Sequence, residues 1–317
     1  MSRCLLALGS NLGDRQAILN RACSEVSQLS ATRLLSRSQW HATTPVGGSE
    51  GQGEFLNGAL VLDTELPPGV LARSFHEIES RLGRERIVRW DARVIDIDML
   101  LYGPQILESE SLTLPHPRMS FRKFVLEPAV EVARSMVHPT SGWTIAALLE
   151  HLRRSPRRVT VTATQKQVAQ WLVAQLCETM NCVKWVDPPE NTNSVGTEEA
   201  HRGIKFQHAD CGKPLVDIRS PEHLSEVTGS DSCADRQTAA ALTIYVDQLH
   251  PAQLCNMAPP THKSATTEKD IDSAAWSSMA PLTSLGMGPL ARISDDNPET
   301  VLQEAKAALR CVWPDLS

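Results

Sequence analysis

No C-x-x-C pair occurs among the eight cysteines, which fall at positions 4, 23, 177, 182, 211, 233, 255 and 311. Thiols scattered over 317 residues do not make the disulfide framework of a small secreted scaffold; they fit reduced thiols in a cytoplasm, each a small buried hydrophobe. Long hydrophobic runs are missing too. The longest near the N-terminus, Cys4 to Leu8, is five residues and runs into Gly9-Ser10-Asn11, far short of a secretory segment or a bilayer span, so no membrane partner is expected. Positive charge has no surplus. With 31 Lys and Arg against 37 Asp and Glu, the net charge of -6 argues against a nucleic-acid partner and confines any anion site to a local cluster. The common nucleotide-binding loops are absent as well. The one Gly-Lys pair, Gly212-Lys213, has Gln207 where a phosphate-binding loop needs glycine, and Gly51-x-Gly53 lacks its third glycine. Any nucleotide must therefore be held by side chains.

What is present is a chain that is 41% hydrophobic, enough for a sizeable core, and longer than the ~250 residues at which single cores stop growing. Residues 3–9 read as a strand, and Asp14 as the N-cap of a helix carrying Ile18, Leu19, Ala22, Val26 and Leu29 at helical spacing. An extended stretch from Thr32 to Trp40, a Gly-rich loop from Thr43 to Gly53 and a strand from Phe55 to Leu62 follow. Pro67 and Pro68 start a second helix with Val70, Leu71, Phe75, Ile78 and Leu82 on one face and Gly83 as its stop. Val94 to Tyr102 is an apolar strand, and 125–132 and 143–152 are short closing helices. This order predicts an α+β fold, a ferredoxin-like sandwich whose mixed antiparallel sheet is covered by helices on one face and left open to ligand on the other.

Arginines 153, 154, 157 and 158 around Pro156 read as a linker, which divides the chain into domains 1–155 and 156–317. The second is expected to be α/β and partly loop-rich, with strands near 159–161, 183–186, 242–246 and 290–293 and helices at 165–176 and 298–309. Segments 188–196 and 259–272 are polar, without apolar periodicity. His201, His208 and Cys211 match no zinc spacing. About 160 residues are too few for a full (β/α)₈ barrel of typical length ~250.

The sharpest chemical signal is Arg89-Trp90-Asp91-Ala92-Arg93-Val94-Ile95-Asp96-Ile97-Asp98-Met99. Strand alternation puts Asp96 and Asp98 on one face and Ile95, Ile97 and Met99 on the other. Paired carboxylates suit a hard divalent cation such as Mg²⁺, which takes one or two carboxylates and completes its shell with water and phosphate. The outer face of an edge strand, wet and without function, would have the same spacing. Arg84, Arg86, Arg89 and Arg93 lie just upstream, enough guanidinium forks for a polyphosphate, although salt bridges to Glu79, Glu85 or Asp91 are the alternative.

Five motifs in order then carry a resemblance: Ala7-Leu8-Gly9-Ser10-Asn11-Leu12-Gly13, Thr43-Thr44-Pro45-Val46-Gly47, Phe55-Leu56-Asn57, the Arg89 to Asp98 segment, and Leu112-Thr113-Leu114-Pro115-His116 to Phe124. Residues 1–155 resemble the 6-hydroxymethyl-7,8-dihydropterin pyrophosphokinase (HPPK) family, folate-pathway transferases that move pyrophosphate from ATP to the pterin hydroxymethyl group and release AMP. The resemblance implies ATP and the pterin as ligands, two Mg²⁺ ions on Asp96 and Asp98, and folate-pathway enzymes as possible partners. It implies that Arg86, Arg93 and Arg122 neutralise phosphate charge, with Arg86 and Arg93 catalytic beside the two aspartates. Glu79, Arg89, Leu112, Thr113 and His116 would line the ATP site. The pterin would stack between Phe55 and Phe124, bond to Asn57, and meet Thr43, Pro45, Val46 and Trp90. Phe55 stands where the family commonly has Tyr, and Asp91-Ala92 where it has Gly-Pro. The segments 47–53 and 84–91 would act as mobile covers. A silent pterin- or nucleotide-binding module, or an RNA binder using the open sheet face, would be the competing readings.

Overall fold

The computed structural model describes residues 1–46, 53–84, 93–109, 111–155, 157–180, 183–184, 215–218, 242–249, 254 and 289–316. They divide into two compact units, Met1–Arg153 with Ala307–Asp315, and Arg154–Lys306 with the C-terminal residues. Arg86, Arg89 and Trp90 lie outside the described residues, as do most of the two expected covers, both polar segments of the second half and the His201, His208 and Cys211 group.

In the first unit β1 (Ser2–Ser10) is followed by α1 (Arg15–Ser27), β2 (Thr32–Arg37), β3 (His41–Thr43), β4 (Phe55–Thr64), α2 (Pro68–Arg81) and β5 (Asp96–Tyr102). The sheet order is β2-β4-β1-β5 with β3 also on β4, and every pairing is antiparallel. This is the split βαβ arrangement expected from the element order. Asp14 caps α1 by accepting the amide proton of Ala17 at 3.1 Å, and Pro67 and Pro68 begin α2 where missing N–H groups cost nothing.

Alternation sorts the sheet. Cys4, Leu6 and Leu8 of β1, Leu60 and Leu62 of β4, and Ile97 and Met99 of β5 pack with Leu19, Ala22 and Val26 of α1 and Leu71, Phe75 and Ile78 of α2 in one core. Burial pushes the thiols of Cys4 and Cys23 up, as expected for cysteines acting as small hydrophobes. The second sheet face is not simply open, which corrects the expectation. A pair of short β-strands, β6 (Leu107–Glu108) and β7 (Thr113–Leu114), leads to α3 (Lys123–Ala133), which packs on β1, β3 and β4. Its apolar residues Val125, Leu126 and Ala129 need cover, and Leu5, Ala59 and Val61 on that face supply it. What stays uncovered is the end of the sheet beside Gly9, Asn57 and Asp96.

The unit closes with α4 (Ile145–Arg154), whose Leu148, Leu149 and Leu152 are buried. Before it, His138 is buried in a turn, accepting the Ser141 amide proton on Nδ1 at 3.3 Å. Burial lowers the His138 imidazole to about 4 from an ordinary 6.5. The unfolded chain then binds a proton on this group that the folded chain refuses, so its contribution to stability is full above pH 6.5 and lost as pH falls toward 4. Thermal midpoints of the full chain measured between pH 7 and 4 should fall more steeply than those of His138→Gln; parallel curves would contradict this.

In the second unit β8 (Arg158–Ala163), β9 (Val183–Lys184), β10 (Leu215–Ile218), β11 (Leu242–Val246) and β12 (Leu290–Ile293) form one sheet in the order β12-β11-β8-β10-β9, all pairs parallel. Parallel neighbours require crossovers, and α5 (Lys166–Thr179) supplies one, packing on β8, β9 and β10. The chain passes from β8 into α5 through Thr164 and Gln165 without a glycine, so this turn forms no Gly-rich phosphate cradle. The last helix is α6 (Pro298–Val312). The strand Leu215–Ile218 lies outside the sequence expectations, and the expected Arg linker is shorter than read, since Arg153 and Arg154 end α4 and Arg158 opens β8. Among the described residues no helix is long and apolar enough to cross a membrane.

Candidate active site

The uncovered end of the second face holds a cavity of about 310 Å³. Its floor follows from register. Gly9 of β1 is paired with Asn57 of β4 on one side and Asp96 of β5 on the other, and Ala7 with Ala59 and Asp98. The two small β1 residues leave an open trough between an amide and a pair of carboxylates. A Cβ on Gly9 would come within 2.9 Å of Asn57 Oδ1. Asn57 is buried and fixed in direction, since its Nδ2 donates to Thr43 Oγ1 at 2.7 Å across the β3–β4 pair. Thr43, Val46, Phe55, Phe124 and Arg122 line the same cavity, and the Arg122 guanidinium lies 5.5 Å over the Phe124 ring. The Nε of Arg122 is buried and has no hydrogen-bond partner among the described residues, a donor in want of an acceptor.

On the carboxylate side the two aspartates differ. Asp96 Oδ1 meets Arg84 Nη1 at 2.7 Å and Asp96 Oδ2 meets Arg93 Nη1 at 2.7 Å. Asp98, with 37% of its side chain exposed, has the His116 Nε2 at 3.8 Å and no guanidinium at ion-pair distance among the described residues. Partial burial in the cavity wall and the like charge of Asp96 raise the Asp98 pKa, against the pull of Arg122. His116 accepts the Arg118 amide proton on Nδ1 at 3.1 Å, which assigns the ring proton to Nε2, toward Asp98. Burial, then Arg122 and Arg118, lower the imidazole to about 3, so it is neutral at pH 7.

Beneath Asp96 lies Glu79, 2% exposed, whose Oε1 accepts the Ile97 amide proton at 2.7 Å and bonds Arg84, while Oε2 faces His76 Nδ1 at 3.1 Å. Burial alone would weaken the charge on Arg84, but Asp96 and Glu79 outweigh it and hold its pKa above the ordinary value. Arg93 is fixed by its backbone: its N–H donates to Asn11 Oδ1 at 2.7 Å and its carbonyl accepts the Asn11 N–H at 3.1 Å.

Of the residues singled out from sequence, Thr43, Val46, Phe55, Asn57, Arg93, Asp96, Asp98, His116, Arg122 and Phe124 all line the cavity. Pro45, Leu112 and Thr113 are not among its lining residues, and Glu79 supports it from below instead of facing it. Three residues add to those expected. Gly9 and Asn11 belong to the first motif, which carries no role in sequence, and Arg84, one of the expected polyphosphate forks, instead pairs with Asp96 and Glu79. Its signal was the preceding Gly83: at φ +92° the chain reverses after α2, and the Arg84 amide returns to the Glu79 carbonyl at 3.0 Å.

An antiparallel α+β sandwich with carboxylates and arginines at one end of a trough and an amide with aromatic rings at the other defines a small-molecule site for a charged chain beside a flat polar ring. Residues 5–134 match the family model of 7,8-dihydro-6-hydroxymethylpterin-pyrophosphokinase. The 2-amino-4-hydroxy-6-hydroxymethyldihydropteridine pyrophosphokinase of Haemophilus influenzae is 39% identical over 141 residues, covering 44% of this chain and 88% of the relative. The enzymes of the same name from Bacillus subtilis and Methylorubrum extorquens are each 42% identical, over 131 and 152 residues, covering 41% and 48% of this chain and 78% and 94% of theirs. The chain belongs to the HPPK family, as its motifs indicated. A solved HPPK-DHPS structure in complex with substrates overlaps at a TM-score of 0.37 and 10% identity, over 78% of this chain and 77% of that one, too loose to bear on either unit.

Proposed function

We propose that residues 1–155 form the catalytic domain, and that the cavity beside Gly9 binds ATP and 6-hydroxymethyl-7,8-dihydropterin for pyrophosphate transfer. The chain is a folate-biosynthesis pyrophosphokinase: the pterin hydroxyl oxygen bonds to the β-phosphorus of ATP, the bond from that phosphorus to the oxygen bridging the α-phosphorus breaks, AMP leaves, and the hydroxyl proton is released. The observation that carries the assignment of residues is the row Asn57–Gly9–Asp96, which joins a ring-recognising amide to the carboxylates across one trough.

The donor set fits magnesium. Two hard carboxylates on one face leave most of the coordination shell to water and phosphate, and among the described residues no third His, Cys, Asp or Glu joins them. Mg²⁺, two ions by family resemblance, would polarise the phosphate oxygens and offset charge as AMP departs. The protein's own groups do the rest. Arg93 and Arg122 present guanidinium forks to the phosphates, with Arg86 and Arg89 from the preceding segment. Neutral His116 offers an N–H to the nucleotide without adding charge, and Leu112 and Thr113, at the start of β7, are assigned to the same partner. Phe55 and Phe124, with Trp90, take the faces of the pterin. Asn57, held by Thr43, reads its polar edge together with Pro45 and Val46. The parallel sheet of the second unit supports reading residues 156–317 as a separate α/β domain.

Purified full-length protein incubated with ATP, Mg²⁺ and the pterin should yield AMP and the pterin diphosphate in equal amounts; ADP, or no nucleotide product, would overturn the assignment. Gly9→Ala tests the trough. It should raise KM for the pterin by roughly tenfold, about 1.4 kcal/mol, because the new methyl displaces the Asn57 amide, while KM for ATP changes little. Equal changes for both substrates would contradict this geometry.

A further inference from the structure

We propose that Arg84 and Arg93 are internal counter-cations of Asp96, occupying its two oxygens until nucleotide phosphates draw them off, so that a divalent cation reaches Asp96 only together with nucleotide. This rests on the reading of Asp96 and Asp98 as cation ligands, and goes beyond it by making one ligand conditional. Each Asp96 oxygen has its own guanidinium, both at 2.7 Å. A magnesium ion seats about 2.1 Å from a carboxylate oxygen, where a second cation on the same oxygen is repelled, so the guanidinium must withdraw. Asp98, by contrast, has no guanidinium at ion-pair distance among the described residues, only the His116 Nε2 at 3.8 Å. The pair thus consists of an open ligand and a closed one.

Each arginine has what such a device needs. Arg84 retains the buried Glu79 carboxylate when it leaves Asp96, so its charge is never left unpaired. Arg93 is anchored at both backbone groups by Asn11, which leaves its side chain free to turn from Asp96 toward phosphate on a fixed main chain. Guanidinium forks bind phosphate oxygens in bidentate fashion, so nucleotide removes the obstacle and supplies the remaining cation ligands in one event. Cation and nucleotide must then bind cooperatively, each raising the affinity of the other by the same factor.

The test counts free Mn²⁺ by electron paramagnetic resonance over full-length protein without nucleotide. Arg93→Gln and Arg84→Gln should each bind Mn²⁺ about tenfold more tightly than the parent protein, and adding Asp96→Asn to either should remove the gain. Arg122→Gln takes the same charge from the same cavity but acts on Asp98 through space and pairs with neither Asp96 oxygen, so it should raise affinity by about threefold at most, which separates pairing from general electrostatics. Thermal midpoints identify variants that fold; if Arg84→Gln does not, Arg93→Gln decides. Folded arginine variants that gain no affinity, or an equal gain in Arg122→Gln, would overturn the proposal. A different result marks failure of the underlying reading: Mn²⁺ binding in the presence of a non-hydrolysable ATP analogue that neither Asp96→Asn nor Asp98→Asn weakens.

Discussion

Asp98→Ala and Asp96→Ala should each lower turnover by more than a hundredfold, a barrier increase of about 2.7 kcal/mol or more, with the fold intact. The fold survives because neither side chain contributes to the core: β5 buries Ile97 and Met99 among α1 and α2, while the two aspartates project to the opposite face. Asp98 gives the cleaner measurement, since among the described residues it has His116 at 3.8 Å and no guanidinium at ion-pair distance, whereas removing Asp96 also releases Arg84 and Arg93. The loss should fall on kcat, because a cation held by these carboxylates would offset charge that builds on the departing AMP, and KM for the pterin should change little. AMP release by folded variants is the measurement, and undiminished turnover in both would falsify the assignment of these residues to the reaction.

Gly58→Ala should be the most damaging single-methyl change in the first unit, lowering stability by about 3 kcal/mol. Gly58 is paired with Leu8 and faces the α1 and α2 side, where the Trp40 ring covers it. An added Cβ would fall well inside contact distance of two Trp40 ring carbons. The indole cannot drift away cheaply, because its Nε1 donates to Asn20 Oδ1 at 3.2 Å and Arg37 lies 5.2 Å over the ring. For a unit of this size the thermal midpoint should drop by roughly 6 to 12 °C. If the cause is this overlap, Trp40→Ala should make the second substitution much less costly, so the double variant loses less than the two singles together. Additive losses, or an unchanged midpoint for Gly58→Ala, would contradict it.

Some elements were legible because their signals are local. Asp14 caps α1, Pro67 and Pro68 open α2, and the 95–99 alternation sorts carboxylates from core, all properties of neighbouring residues in one chain segment. The cover over the second face was not legible, since α3 reads as a short amphipathic helix with no mark of which surface its Val125 and Leu126 will meet. The strand 215–218 was equally hidden. Four residues, Leu-Val-Asp-Ile, are too few to show a periodicity, and their strand character comes from pairing with β8 and β9.

The order of motifs from Gly9 to Phe124 sufficed to fix the family and the chemical types in its site, because they are written as residue kinds at short spacing. Tertiary structure alone decided which of them meet. The placement of Asn57 and Asp96 on either side of Gly9 is a matter of strand register, and the ion pairs of Asp96 with Arg84 and Arg93 depend on a chain reversal at Gly83 and an anchor at Asn11. The register pairs and the Asn11 anchor join positions tens of residues apart, and even the charges nearer in sequence do not specify their partners until packing has fixed the distances between them.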